Sequence, residues 1–323
     1  MRLGAQLALI VGATLLLAQP ASAATVVNGD FETGTLAGWS QAEVPFPGGE
    51  GWFAYSGTAA PVSTEEGEEK PRTVQAPPQG NFAAISDENG PGTHILYQDI
   101  ALAPGMTHTL SLIAYYNSEA PITVPTLDTL SSEGAENQQY RIDVMRAGAP
   151  IESVNPADIL ATVFSTGNGA PQSMGPTTFS VDLTPFAGQT VRLRLAEVDN
   201  LFFFNAGVDA VAVQSIPSNN FTIGKLKLNR KNGTAKLKVT VPGPGKLTAV
   251  DVKKKGKRIK STVTAATAAG VAILKLKPTS KGRKTLENEG RLHFKVRVSF
   301  TPTGGLTANQ SRGGTLGLKL GGR

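Results

Sequence analysis

Val191-Arg192-Leu193-Arg194-Leu195 alternates apolar and charged residues without a break, and Tyr140-Arg141-Ile142-Asp143-Val144 alternates in the same way. A period of two sends successive side chains to opposite faces of an extended chain, so each stretch is expected to bury one face and wet the other. Outward from these two, Phe82-Ala83-Ala84-Ile85, Leu96-Tyr97-Gln98-Asp99-Ile100, Leu110 to Tyr115 and Val208 to Val213 are short apolar runs bounded by turn residues. No stretch holds a helical period. With 36 Gly and 21 Pro in 323 residues, short strands joined by turns are expected, and the chain reads as all-β. The region up to about residue 216 is expected to form an antiparallel sandwich of two packed sheets.

The first residues, Met1-Arg2-Leu3, lead into an apolar run from Leu7 to Ala18 and then Gln19-Pro20-Ala21-Ser22-Ala23. A positive start, a short apolar run and a small-x-small site have the pattern of a signal peptide over 1–23, cleaved after Ala23. The run is shorter than the roughly 20 residues a membrane span needs, and no other segment is long or apolar enough to be one. A secreted protein, extracellular or held at the cell surface, is the expectation. The sequence has no cysteine, which excludes Cys nucleophiles, thiolate metal sites and a disulfide scaffold. A chain of this length buries a core without disulfides.

The net charge of +6 conceals two opposed regions. From Ser218 onward, 24 Lys and Arg stand against Asp251, Glu287 and Glu289, a balance of +21, whereas residues 1–217 carry −15. Such asymmetry marks a boundary. Ile216-Pro217-Ser218-Asn219-Asn220 has a linker's composition, so domains over 24–216 and 217–323 are expected.

The acidic region opens with Val26-Val27-Asn28-Gly29-Asp30-Phe31-Glu32, continues to Gly38-Trp39, and closes with Gly207-Val208-Asp209-Ala210-Val211-Ala212-Val213. In these phrases it resembles galactose-binding-like jelly-roll modules, which include carbohydrate-binding modules. The resemblance implies adjacent first and last strands and a structural Ca²⁺ near their junction. Matched residue by residue, it nominates Glu32 and Asp209, with Asn28 and Asp30 as weaker candidates. Hard oxygen ligands from opposite ends of a domain suit this ion. The alternative reading makes Asp30 and Glu32 turn residues and Asp209 a loop cap.

Sugar recognition uses exposed aromatic faces flanked by amides. Trp52, Phe53 and Tyr55 follow the Gly-rich Pro47-Gly48-Gly49, Tyr115, Tyr116 and Asn117 stand at a strand end, and Leu201-Phe202-Phe203-Phe204-Asn205 is a third candidate. A sandwich also needs large side chains inside, and Trp39 is assigned to the core. In a strand, a three-Phe run must send at least one ring to the outer face. The charged segment Ser63 to Lys70 and the irregular stretch Glu119 to Glu136 are long enough to frame a cleft.

In the basic region, Phe221 to Asn229 and Thr234 to Val241 alternate apolar residues with Lys or Thr around Asn232-Gly233, a strong hairpin signal. Helix is scarce, with one turn expected over Lys281 to Glu287. Asn220-Phe221-Thr222-Ile223-Gly224-Lys225-Leu226, Gly233-Thr234-Ala235-Lys236-Leu237, Val241-Pro242-Gly243-Pro244-Gly245-Lys246-Leu247 and Thr301-Pro302-Thr303-Gly304-Gly305 carry a second likeness. The region is similar to a C-terminal β-domain of secreted actinobacterial proteins, which implies an immunoglobulin- or fibronectin-like sandwich and no defined activity. Lys225, Lys227, Lys236, Lys238, Lys275, Lys277, Lys295 and Arg297 fall on polar strand faces, where lysine also discourages edge-to-edge pairing. The balance of +21 exceeds what solubility needs and points to an anionic polymer as partner, or to the acidic domain itself. With only Phe221, Phe294 and Phe300 to stack on bases, readout of a nucleic-acid sequence is not expected.

His94, His108 and His293 share no ligand or triad spacing, and no hydrolase, metalloprotease or phosphate-loop motif is present. The sequence thus reads as a non-catalytic binding protein. Its jelly roll would recognise a glycan or cell-envelope ligand, and its basic domain would attach to the envelope by charge. The alternative is a structural or adhesive envelope protein without a small ligand.

Overall fold

The computed structural model describes residues 24–44, 51–87, 91–253 and 255–319. The expected signal peptide and Pro47-Gly48-Gly49 lie outside them. The described chain is all-β: two antiparallel sandwiches follow one another, with one α-helix and one short 3-10 turn. No described helix is long and apolar enough to cross a membrane.

The first sandwich faces two five-stranded sheets. One runs β1 (Ser40–Val44), β6 (Gly92–Ala101), β11 (Thr190–Asp199), β8 (Gln139–Arg146), β9 (Ile159–Ser165). The other runs β10 (Ser173–Asp182), β7 (Met106–Ser118), β12 (Phe204–Pro217), β5 (Ala83–Ser86), β2 (Trp52–Tyr55). Successive strands repeatedly change sheet, the jelly-roll pattern. Leu96, Ile142, Leu193 and Leu195 from one sheet meet Leu112, Ala114, Phe204 and Ala206 from the other in the core. Trp39 is buried there, stacked on Phe31 at 5.4 Å between ring centres.

The alternating strands do not keep the wet faces their pattern predicts. Arg141, Asp143 and Arg194 are all buried, because two irregular segments lie across the outer face of the first sheet. Arg194 donates to the carbonyls of Ile151 (2.7 Å) and Ser153 (2.8 Å) and to Asp143 (2.5 Å), and Arg141 bridges Asp143 (2.7 Å) and Asp128 (2.8 Å). Leu130 adds an apolar plug against Ile95, Ala196 and Val198. The long stretch after Glu119 therefore acts as a cover for this sheet. In the three-Phe run, Phe202 is exposed, Phe203 lies under the Arg72 guanidinium at 4.3 Å, and Phe204 is in the core.

β12 continues to Pro217, and only residues 218–221 separate it from the second sandwich. There β13 (Thr222–Asn229), β14 (Thr234–Val241) and β17 (Gly270–Leu276) form one sheet. β16 (Thr262–Ala266), β15 (Gly245–Asp251), β18 (Arg291–Pro302) and β19 (Ala308–Gly317) form the other. Their inner faces meet around Leu237, Val239, Leu247, Leu274, Val296 and Phe300. The β13–β14 hairpin forms with Asn229 opposite Thr234 and Gly233 at φ 61°. The single expected helical turn is a ten-residue helix, α1 (Ser280–Glu289). Thr279 caps its start by accepting from the Gly282 N–H, and Gly290 ends it in the left-handed conformation.

Candidate functional site

With one outer face of the jelly roll covered, the outer face of the β10-β7-β12-β5-β2 sheet is where a recess opens. β3 (Ala59–Thr64) and β4 (Pro71–Thr73) form a hairpin that folds over part of this face. It buries Ala60 and Val74 against Tyr55, Ala83, Ile85 and Tyr115. The Asp87 carboxylate accepts from the backbone N–H groups of Val62 (2.7 Å) and Ser63 (3.1 Å), and Arg72 pairs with Glu119. The charged segment Ser63 to Lys70 is thus the tip of a pinned hairpin.

Between this hairpin and the start of β10 lies a groove of about 410 Å³. Thr73, Val74 and Gln75 form one wall, Ser173, Met174 and Gly175 the other, with Ile85, Tyr115, Tyr116, Asn117 and Asn205 between. Strand register explains the arrangement. Ser173, Asn117 and Asn205 are direct partners across β10, β7 and β12, so one rung carries a hydroxyl and two amides across the sheet. Asn117 is exposed, whereas Asn205 is buried and donates to the Ser86 carbonyl at 2.7 Å. Tyr115 lies flat over Gly207, where an added Cβ would sit 2.0 Å from its ring. Every lining residue is uncharged, in a domain whose sequence is strongly acidic.

The aromatic residues chosen from sequence occupy other roles. Trp52 is 2 % exposed and points into the core from β2, its indole N–H donating to the His94 carbonyl at 3.2 Å. Tyr55 is 5 % exposed, with its hydroxyl 2.7 Å from that of Tyr115 and also bonded to the Gln75 carbonyl. Burial pushes the Tyr55 phenol up to about 12 and that of Tyr115 well above its usual value. Tyr116 is a core residue whose hydroxyl donates to the Pro171 carbonyl at 2.8 Å. The expected exposed stacking faces at Trp52 and Tyr55 are therefore corrected: these residues sit on a strand whose two faces are both covered. Asn117 alone of the chosen set presents an exposed polar group to the groove. Thr73, Gln75 and Ser173 gave no sequence signal, because strand pairing and the hairpin bring them together, and Asn205 stands at the end of the three-Phe candidate run.

The first and last segments of the domain meet as the resemblance implied. Gly29 accepts from the Val211 N–H at 2.8 Å, and an added Cβ at Gly29 would lie 2.0 Å from the Val211 carbonyl oxygen. Asn28, Phe31 and Ala210 all adopt positive φ here, which stores backbone strain at one junction. Glu32 accepts from the N–H groups of Asn81 (2.7 Å) and Phe82 (3.0 Å), which lower its pKa. Asp209 accepts from Gln79 (2.9 Å) and Ala210 (2.6 Å). Burial, reinforced by the charges of Glu32 and Asp30, pushes Asp209 up to about 6 despite those hydrogen bonds. A recess of about 380 Å³ lined by Asn28, Asp30, Gln79 and Ala210 opens beside these groups.

Asp209 sets a pH dependence. Its folded pKa lies above the ordinary value of 3.8, so the native state holds its proton more tightly than the unfolded chain. The stability it contributes is complete below about pH 4 and is lost as pH rises to about 6. In chelator-treated protein, melting temperatures across that window are expected to carry a falling component that disappears in Asp209→Ala.

No family model matches this chain, and no curated protein matches it. Solved structures similar to it include the adhesin domain of Epf from Streptococcus pyogenes, at 11% identity and TM-score 0.40, covering 93% of this chain and 97% of that one. TmCBM61 in complex with β-1,4-galactotriose matches at 10% identity and TM-score 0.35, over 60% of this chain and 99% of that one. The enzymatically active domain of bacteriophage CBA120 tailspike protein 4 matches at 12% identity and TM-score 0.33. That match covers 59% of this chain and spans only 21% of the tailspike chain. Binding modules and enzymes both stand among these similarities.

The basic sandwich presents a different surface. Lys227 on β13 pairs with Lys236 on β14, which pairs with Lys275 on β17, so three exposed ammonium groups stand in one rung. Lys225 and Lys238 extend the exposed basic surface along β13 and β14, and the exposed Lys277 follows the end of β17. The domain's acids lie elsewhere. Asp251 accepts from the N–H groups of Lys253 (2.9 Å), Arg258 (2.7 Å) and Ile259 (3.0 Å), holding the basic loop, and Glu287 and Glu289 sit on α1.

Proposed function

We propose that this is a secreted, non-catalytic binding protein whose jelly roll takes a neutral glycan in the groove between the β3–β4 hairpin and β10. The observation that carries the reading is the lining: hydroxyls and amides of Ser173, Asn117, Asn205, Thr73 and Gln75 with no charge among them. Such groups match sugar hydroxyls, and their neutrality inside an acidic domain disfavours an ionic ligand. Recognition rests on hydrogen bonds, with the partly exposed Met174 as the apolar contact. A glycan array probed with the mature protein tests it. Retention of neutral oligosaccharides is expected, with at least a tenfold loss in Asn117→Ala; an array without neutral binders overturns the glycan reading.

The basic domain would hold the protein to an anionic envelope polymer through the lysine face of β13, β14 and β17. The likeness of this region to a C-terminal β-domain of secreted actinobacterial proteins belongs to the same reading. A structural or adhesive envelope role without a small ligand is the second reading, favoured by the burial of Trp52 and Tyr55.

A structural Ca²⁺ is a separate proposal. Asn28, Asp30, Glu32 and Asp209 offer the hard oxygens the ion takes, and Gly80 leaves the space beside Glu32 that a Cβ would fill, 2.1 Å from its Oε1. A cation there would offset the burial, and the added charges of Glu32 and Asp30, that raise the Asp209 pKa. Calcium is expected to raise the melting temperature of wild type and not of Asp209→Ala; equal responses would remove the ion from this junction.

A further inference from the structure

The first sandwich contains a second group of ligating side chains, away from the groove and from the strand junction. His94 on β6 and Glu197 on β11 are direct partners across the sheet, and Asp199 lies two residues beyond Glu197, opposite Gly92. Residues at this spacing share a face, so the three side chains lie on the side that carries Leu96 and Leu195 into the core. All three are buried, and one ligand atom from each lies within 4.8 Å of those of the other two. The Gly92 N–H donates to Asp199 Oδ1 at 3.1 Å and fixes that carboxylate, while the Trp52 indole holds the His94 carbonyl at 3.2 Å.

We propose that His94, Glu197 and Asp199 form a buried site for a divalent transition-metal ion of the zinc class. One imidazole and two carboxylates that face one another in a sandwich interior place three donors within reach of a single divalent cation. One nitrogen and two oxygen donors suit zinc-like ions, which accept imidazole readily, whereas calcium takes oxygen ligands alone. Zinc-to-ligand distances of about 2.0–2.2 Å require the three donor atoms to draw together by a rotamer-scale adjustment. Three protein ligands leave one position of a tetrahedral ion for water or a further donor.

The test is refolding of the mature protein from chelator-containing denaturant with Zn²⁺, with Ca²⁺ or with neither, followed by desalting, metal analysis and a melting curve. One zinc per chain retained, with a rise in melting temperature that calcium does not reproduce at this site, is the expected result. His94→Ala and the isosteric Glu197→Gln should each lower retained zinc at least tenfold, while Asp209→Ala retains it. Co²⁺ in place of zinc should give visible absorption that Glu197→Gln abolishes. Wild-type protein that retains no stoichiometric zinc, or folded Glu197→Gln that retains as much as wild type, overturns the site. Stabilisation by acid without zinc uptake also overturns it, by assigning the charge balance to a proton shared within the cluster.

Discussion

Asp143→Ala is expected to destabilise the first sandwich by about 3–5 kcal/mol, the usual consequence of removing one partner of a buried ion pair. Asp143 accepts from both Arg141 and Arg194, and the Arg194 side chain is wholly buried. Without the carboxylate, Arg194 keeps its two carbonyl partners, Ile151 and Ser153, and loses its counter-charge. The two covering segments should then loosen together, since Asp128 belongs to one and Ile151 with Ser153 to the other. Urea unfolding measures the loss, and hydrogen exchange over 119–138 and 147–158 locates it. A change below about 1 kcal/mol, the range of an exposed ion pair, would mean that the segments do not seal this face.

Lys236→Glu should act in opposite directions on stability and on binding. Lys236 lies between Lys227 and Lys275, so wild type places like charges directly opposite one another twice. Cross-strand pairs are worth about 0.2–1 kcal/mol each, and reversing the central charge turns two repulsions into two attractions. The folded domain is expected to gain about 0.5–2 kcal/mol, read by denaturant unfolding. Retention on an anionic polymer should fall instead. Replacing Lys227, Lys236 and Lys275 together by Gln should flatten the dependence of log K on log salt by about three, roughly one per lost contact. Unchanged salt dependence would detach this face from any polyanion. A domain that lost stability with the Lys236→Glu charge reversal would show that the lysines have other partners.

Much of the fold is legible in the sequence because strand periodicity is local. The runs around Ile85, Leu96, Leu112, Ile142, Leu193 and Val211 all lie on strands, and the turn at Gly233 closes the predicted hairpin. What alternation cannot reveal is what covers a polar face. Arg141, Asp143 and Arg194 look like wet positions and are buried, because segments distant in sequence cross them. The same physics moved Trp52 and Tyr55 from a supposed recognition loop to β2, where the core lies on one side and the β3–β4 hairpin on the other. The helix was underestimated because Lys281 to Glu289 has little apolar pattern, yet Thr279, Gly290 and the buried Leu286 suffice to define it. Asn117 and Asn205 lie in candidate runs because each adjoins a cluster of aromatic residues, whereas Ser173 joins them only through register.

The central claim is that an uncharged groove in an acidic jelly roll recognises a neutral glycan. Isothermal titration of residues 24–323 with a neutral oligosaccharide, at low and at high salt, for wild type and Asn117→Arg, tests it most directly. The account predicts saturable one-site binding that is indifferent to salt and is lost in Asn117→Arg, with the melting temperature unchanged. Binding that weakens with salt, or that survives Asn117→Arg intact, would contradict it.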